Sequence, residues 1–124
     1  MLTREYSGIR AYRQSKLAQI LFTIDLAVEL EGSGITVNAL HPATFMNTKM
    51  VRDFGTPRST VEEGALAILK LASSAEVEGR GGLYFNGQEE ARADAQAYDP
   101  QARQRLKRLS LQLTGPFRKL GEHR

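Results

Sequence analysis

Apolar residues recur at Leu17, Ile20, Leu21, Ile24 and Val28, at spacings of three and four, and predict a helix over residues 11–31. Leu26 and Leu30 widen that stripe, so the helix is expected to be covered on more than one side. Gly32 and Gly34 end it. The run ITVNAL, residues 35–40, changes character: it is short, β-branched at its start and apolar at Ile35, Val37, Ala39 and Leu40, which predicts a strand buried on both faces. Pro42 stops it by removing a backbone donor.

Residues 43–58 read as a loop with one irregular helical turn, punctuated by Gly55 and Pro57. The segment STVEEGALAILKLASS then predicts a second helix, with two overlapping capping boxes, Ser59 with Glu62 and Thr60 with Glu63. Residues 83–86, LYFN, predict a second strand. A turn at Gly87 leads into a charged, alanine-rich stretch. Pro100 opens a last helix with a stripe at Leu106, Leu109 and Leu113, ended by Gly115-Pro116.

This order is α/β. More than 40 residues, including a helix, separate the two strands, which suits a parallel crossover. Two parallel strands leave both sheet edges unpaired, so the pattern reads as one side of a larger sheet.

Composition narrows the classes. At 124 residues, 41% hydrophobic and 25% charged, the chain has the make-up of one globular domain at most. It has no cysteine, so disulfides and thiolate metal sites are excluded, and its two histidines, His41 and His123, are far apart. No metal site is expected. The longest apolar stretch, Leu17 to Leu30, is short and broken by Gln19, Asp25 and Glu29, so no membrane span is expected. MLTREYSGIR lacks the apolar core of a signal peptide, and the expected location is cytoplasmic. Net charge is +3, unevenly spread: seven basic residues against Glu122 leave residues 103–124 at +6 and the rest at −3. Aromatics suited to stacking are scarce there, so a solvated helix face is the expectation and nucleic acid is not.

The candidate chemistry lies at Tyr12 and Lys16. Four residues apart, they share a helix face, about 40° and about 6 Å from each other. An isolated phenol titrates near about pH 10 and trades protons poorly at neutrality. A cation one helical turn away favours its anion, which suits a general acid or base. By itself the spacing also fits an ordinary pair on a solvated face. Here it comes with company: Ser15 before the lysine, a largely apolar helix, then a buried strand leading into HPATFMNT.

Tyr12-x-x-Ser15-Lys16, the amphipathic helix, and ITVNALHPA followed by Thr48 together resemble the C-terminal half of a short-chain dehydrogenase/reductase. The resemblance covers about Arg10 to Gly87. It implies a partial Rossmann-type, doubly wound parallel sheet with two strands and flanking helices over residues 1–87, and a basic helical extension over residues 88–124 near the substrate entrance. It implies hydride transfer between NAD or NADP and a small-molecule carbonyl or alcohol. Tyr12 matches the family's catalytic acid/base and Lys16 the lysine that holds the nicotinamide ribose. Pro42-Ala43 stands where the family has Pro-Gly, beside the nicotinamide, and alanine suits that place if its backbone keeps a negative φ. Thr44 and Thr48 follow as cofactor contacts. Residues 44–58 match the loop that covers substrate, and Phe45, Met46, Met50, Val51 and Phe54 suit closure over an apolar one.

The family's Gly-rich phosphate turn, serine and helix asparagine have no counterpart before Tyr12. GRGG at 79–82 follows a helix and precedes a strand, the reverse of the order a phosphate loop needs. The chain is therefore expected to be a fragment, inactive alone. The competing expectation is a non-catalytic association module, and the apolar helix 11–31 is the surface through which a homo-oligomer would form.

Overall fold

The computed structural model describes residues 4–115. Their order is helix α1 (Gly8–Glu29), strand β1 (Ala39–His41), helix α2 (Lys49–Phe54), helix α3 (Val61–Ser73), a 3-10 turn (Ala75–Val77), strands β2 (Tyr84–Asn86) and β3 (Glu89–Ala91), a second 3-10 turn (Ala95–Tyr98) and helix α4 (Pro100–Thr114). The architecture is α/β, a small partial Rossmann-like arrangement with a mixed sheet in the order β1-β2-β3. Ala39, Leu40 and His41 pair in parallel with Tyr84, Phe85 and Asn86.

Three expectations about the strands and the loop after β1 are corrected. The first strand occupies 39–41 rather than 35–40. Its predicted opening runs beside the turn at Gly79–Gly82, where φ values of 71° and 73° at Gly79 and Gly82 bend the neighbour out of a regular ladder. The Asn38 side chain fills in there, donating to the Arg80 carbonyl at 3.1 Å and accepting from the Leu83 amide at 2.9 Å. Its residues are half-buried at best, not covered on both faces. Second, residues 89–91 form an antiparallel third strand. Gly87, φ 61°, takes the first of two central positions in the hairpin turn, the place a type II′ turn reserves for glycine. Third, the irregular turn expected in 43–58 is a six-residue helix, α2.

Of the two capping boxes the fold uses one. Thr60 Oγ1 accepts from the Glu63 amide at 3.1 Å, and Glu63 Oε2 accepts from the Thr60 amide at 3.2 Å. Asp99 caps α4 through the Gln101 amide at 2.9 Å, ahead of Pro100.

The main apolar cluster joins α1 to the C-terminal segment. Leu21, Ala97 and Ala102 are buried together, with Leu17, Ile20, Ile24, Tyr98 and Leu106 packed around them. Ala97, at 0% exposure, lets the second 3-10 turn lie flat on α1. Arg103 ties three elements at this seam. Its Nε donates to Asp25 Oδ1 on α1 at 2.7 Å and its Nη1 to the Ala97 carbonyl at 3.0 Å. Lys107 and Glu29 repeat the pairing one turn further along both helices.

Coverage of α1 is confined to that side. Phe22 and Val28 remain exposed, against the expectation of burial on more than one side, because among the described residues only α4 and the 3-10 turn contribute large apolar contact. On α3, Leu66, Ile68 and Leu69 are exposed as well. Arg118, Lys119 and Arg124 of the basic end lie outside the described residues.

Arg103→Ala strands a half-buried carboxylate and a carbonyl, so it should lower unfolding stability by about 2 kcal/mol in urea titrations, with Lys107→Ala costing less. The hydrogen bond that Lys107 donates to Glu29, and then the Glu29 charge, hold the ammonium above its ordinary pKa. A raised pKa contributes stability that is complete below the ordinary lysine value and lost as pH climbs through the raised one. The stability gap between the natural chain and Glu29→Gln should therefore close in strongly alkaline buffer.

Candidate functional site

Tyr12 and Lys16 lie in the second and third turns of α1, before the part of the helix gripped by α4. The helix geometry brings them together: Lys16 Nζ stands 5.7 Å from the centre of the Tyr12 ring. Ser15 lies between them in sequence, and its hydroxyl donates to the Tyr12 carbonyl at 2.7 Å. Tyr12 is 64% exposed and Lys16 is exposed too. Among the described residues no hydrogen bond or ion pair joins either side chain to residues 42–48. An open apolar groove of about 430 Å³ runs between α1 and α4, lined by Ser15, Phe22 and Leu111 among others, but not by Tyr12 or Lys16.

The second group of predicted residues sits at the carboxyl end of β1. In open parallel sheets this is where ligands bind. The Gly87 amide donates to the His41 carbonyl at 2.8 Å and closes the strand. Pro42 and Ala43 are half-buried, Thr44 exposed. Phe45 is the one described non-glycine residue with positive φ, 46°. Ala43 is therefore outside the left-handed region, and the kink falls at Phe45, two residues later. That kink is held from outside: the Phe45 carbonyl accepts from the Arg58 amide at 2.9 Å and the Ser59 amide at 3.3 Å. The Asn47 amide donates to the Ser59 carbonyl at 2.9 Å, and the Arg58 guanidinium lies 5.9 Å from the Phe45 ring centre.

These bonds close the base of a lobe that carries α2. Thr48 is its cap, accepting from the Val51 amide at 3.4 Å. Met50 and Phe54, four residues apart on α2, share a face and are exposed, while Met46 and Val51 are half-buried. Pairs between Lys49 and Asp53 at 3.0 Å, and between Arg52 and Asn47 at 2.9 Å, satisfy its polar residues.

Sequence reasoning missed three participants. His41 was weighed only as a metal ligand, yet its Nε2 lies 3.1 Å from Thr44 Oγ1. The Phe45 kink and its Arg58 partner have no spacing signature, because they depend on a bond across thirteen residues. No group of His, Asp and Glu able to hold a metal occurs among the described residues. None of the described helices is long and apolar enough to cross a membrane.

Comparison with known proteins supplies what geometry alone does not. Retinol dehydrogenase 13 of Homo sapiens is 35% identical over 128 aligned residues, covering 91% of this chain and 39% of that protein. Retinol dehydrogenase 14 of Homo sapiens is 36% identical, covering 90% and 37%. WW domain-containing oxidoreductase of Danio rerio is 33% identical, covering 89% and 29%. These relatives are short-chain dehydrogenases/reductases. The chain belongs to that family. It spans less than two fifths of the length of the curated relatives it matches. A match over 91% of the chain cannot be held by residues 1–87 alone, so it runs into the segment that packs on α1. No family model and no solved structure matches.

Two substitutions probe the lobe. Phe45→Gly should be about 1 kcal/mol more stable than Phe45→Ala in thermal or urea unfolding, since both remove the ring and only alanine resists positive φ. Thr48→Ala should cost α2 about 1 kcal/mol, read as faster amide exchange at residues 49–54 with little change in global unfolding.

Proposed function

We propose that this chain carries the proton-transferring, nicotinamide-facing half of an NAD(P)-dependent oxidoreductase that interconverts a carbonyl and an alcohol. The observation that carries the reading is the ammonium of Lys16 beside the Tyr12 ring on one face of α1. Membership of the short-chain dehydrogenase/reductase family supports it.

The donor set fits the nicotinamide riboside end of the cofactor. Lys16 offers an ammonium to ribose hydroxyls, and Thr44 and Thr48 offer hydroxyls to a carboxamide, with Pro42 and Ala43 forming the wall beside the ring. Bound NAD(P)H supplies the hydride to the carbonyl carbon. The Tyr12 O–H supplies the proton to the carbonyl oxygen, which leaves as alcohol, and the Lys16 charge stabilises the phenolate so formed. Oxidation runs the same proton path backwards.

An apolar substrate suits the exposed Met50 and Phe54 of the lobe, and two of the relatives are named for retinol. In this reading residues 1–87 are the C-terminal half of a Rossmann-type domain and residues 88–124 extend it. The diphosphate is cradled by a separate dinucleotide-binding half, and the chain alone is inactive.

A second reading, an association module that works without catalysis, draws on the exposed Phe22 and Val28 and on the outer edge of β1, which no strand among the described residues pairs. Charges at Phe22 and Val28 test it better than charges at Ile20 or Ile24, which pack in the main cluster.

The purified chain alone should not oxidise NAD(P)H in the presence of an aldehyde. Co-expressed with the dinucleotide-binding half of a retinol dehydrogenase, it should do so, and Tyr12→Phe should cut the rate by about a hundredfold or more. Activity of the complemented enzyme that survives Tyr12→Phe would refute the oxidoreductase reading. Activity of the chain alone would refute the half-enzyme part of it.

A further inference from the structure

This inference rests on the nicotinamide reading above and concerns a residue that reading does not use. His41 is fixed by the sheet, through its backbone pairing with β2 and the bond from Gly87. Phe45, four residues on, is fixed by its bonds to Arg58 and Ser59. Between these anchors, among the described residues, one side-chain hydrogen bond occurs: His41 Nε2 to Thr44 Oγ1 at 3.1 Å. Both side chains are exposed, so the bond adds little to stability. What it sets is a direction.

A threonine hydroxyl has one hydrogen and two lone pairs. When Nε2 carries a hydrogen, the ring donates to Thr44, and the Thr44 O–H is free to point away. When Nε2 is bare, the Thr44 O–H is spent on the ring. Donors are otherwise scarce at this turn, because Pro42 has no N–H. Residues 42–48 carry no charge, so an uncharged acceptor suits the place better than a phosphate or a carboxylate.

We infer that His41 is a positioning residue: it holds the Thr44 hydroxyl as an outward donor at the carboxyl end of β1, for the carboxamide oxygen of a nicotinamide ring. The ring's Nε2–H form is the one that does so. His41 itself touches no ligand.

The test is NMR of the 15N-labelled chain, with the His41 ring nitrogens assigned through His41→Gln and nicotinamide mononucleotide added at millimolar concentration. Amide spectra report whether each variant is folded. Thr44→Val should move the His41 ring signals, and Thr44→Ser should restore them. The nucleotide should shift those signals in the natural chain and in Thr44→Ser, but not in Thr44→Val. Ring signals indifferent to Thr44→Val, or a nucleotide shift that persists in Thr44→Val, would overturn the inference. Perturbation of Tyr12 and Lys16 without His41 overturns it and leaves the oxidoreductase reading standing. Silence at all three overturns both.

Discussion

One guanidinium holds the larger part of this fold together. Arg103 reaches from α4 to Asp25 on α1 and to the Ala97 carbonyl on the 3-10 turn, with only 13% of its side chain exposed. Six apolar residues are buried among the described ones, and three of them, Leu21, Ala97 and Ala102, lie in this seam. So small a cluster does not fix the relation of two helices by area alone, and a forked, directional contact adds the missing constraint. Residues 95–114 are thus packed directly on α1. Among the described residues, they bury the one well-covered side of the helix that bears Tyr12 and Lys16.

That constraint explains how the candidate pair is presented. Gripping begins near Leu17 and strengthens through Asp25, so the first turns of α1 project beyond the seam. Tyr12 and Lys16 keep their mutual geometry, which belongs to the helix, but nothing in the described residues walls them in. The two levels differ in kind. A local relation four residues apart survives in any intact helix, whereas a cleft needs elements from elsewhere in a fold. Long exposed apolar residues on α1 and α3 point the same way, since helices that flank a sheet in this architecture normally bury that surface.

Most of the local structure was legible in the sequence for the same reason. Period-three-and-four apolar spacing located α1 and α4, and Thr60 with Glu63 located the start of α3. The β1 position was misread because the apolar run 35–40 does not show that Asn38 and the glycine turn would replace its ladder with side-chain bonds. The third strand was missed although Asn86-Gly87 is a hairpin signal, because Glu89 and Glu90 lack the alternation that marks a half-buried strand. The Arg80–Glu90 pair, two contacts at 3.0 and 2.9 Å, shows what holds that strand's outer residue instead. At the site, Tyr12 and Lys16 followed from periodicity and family resemblance. His41 and Phe45 did not, since their roles arise from a turn whose shape is set by partners at 58, 59 and 87.

The turn after β1 shows how a strained backbone is held without a glycine. No glycine stands between His41 and Thr48, so the left-handed backbone of this turn falls on a side-chain-bearing residue, which resists it. The kink sits at Phe45, where it persists because Arg58 and Ser59 both bond its carbonyl. Backbone strain survives only where surrounding bonds over-determine it, and it gathers where a chain must hold ligand-facing groups still. Holding the kink from Arg58 and Ser59 couples the shape of the strand end to the base of the α2 lobe, so that a change at either residue reaches Thr44 and, through it, His41.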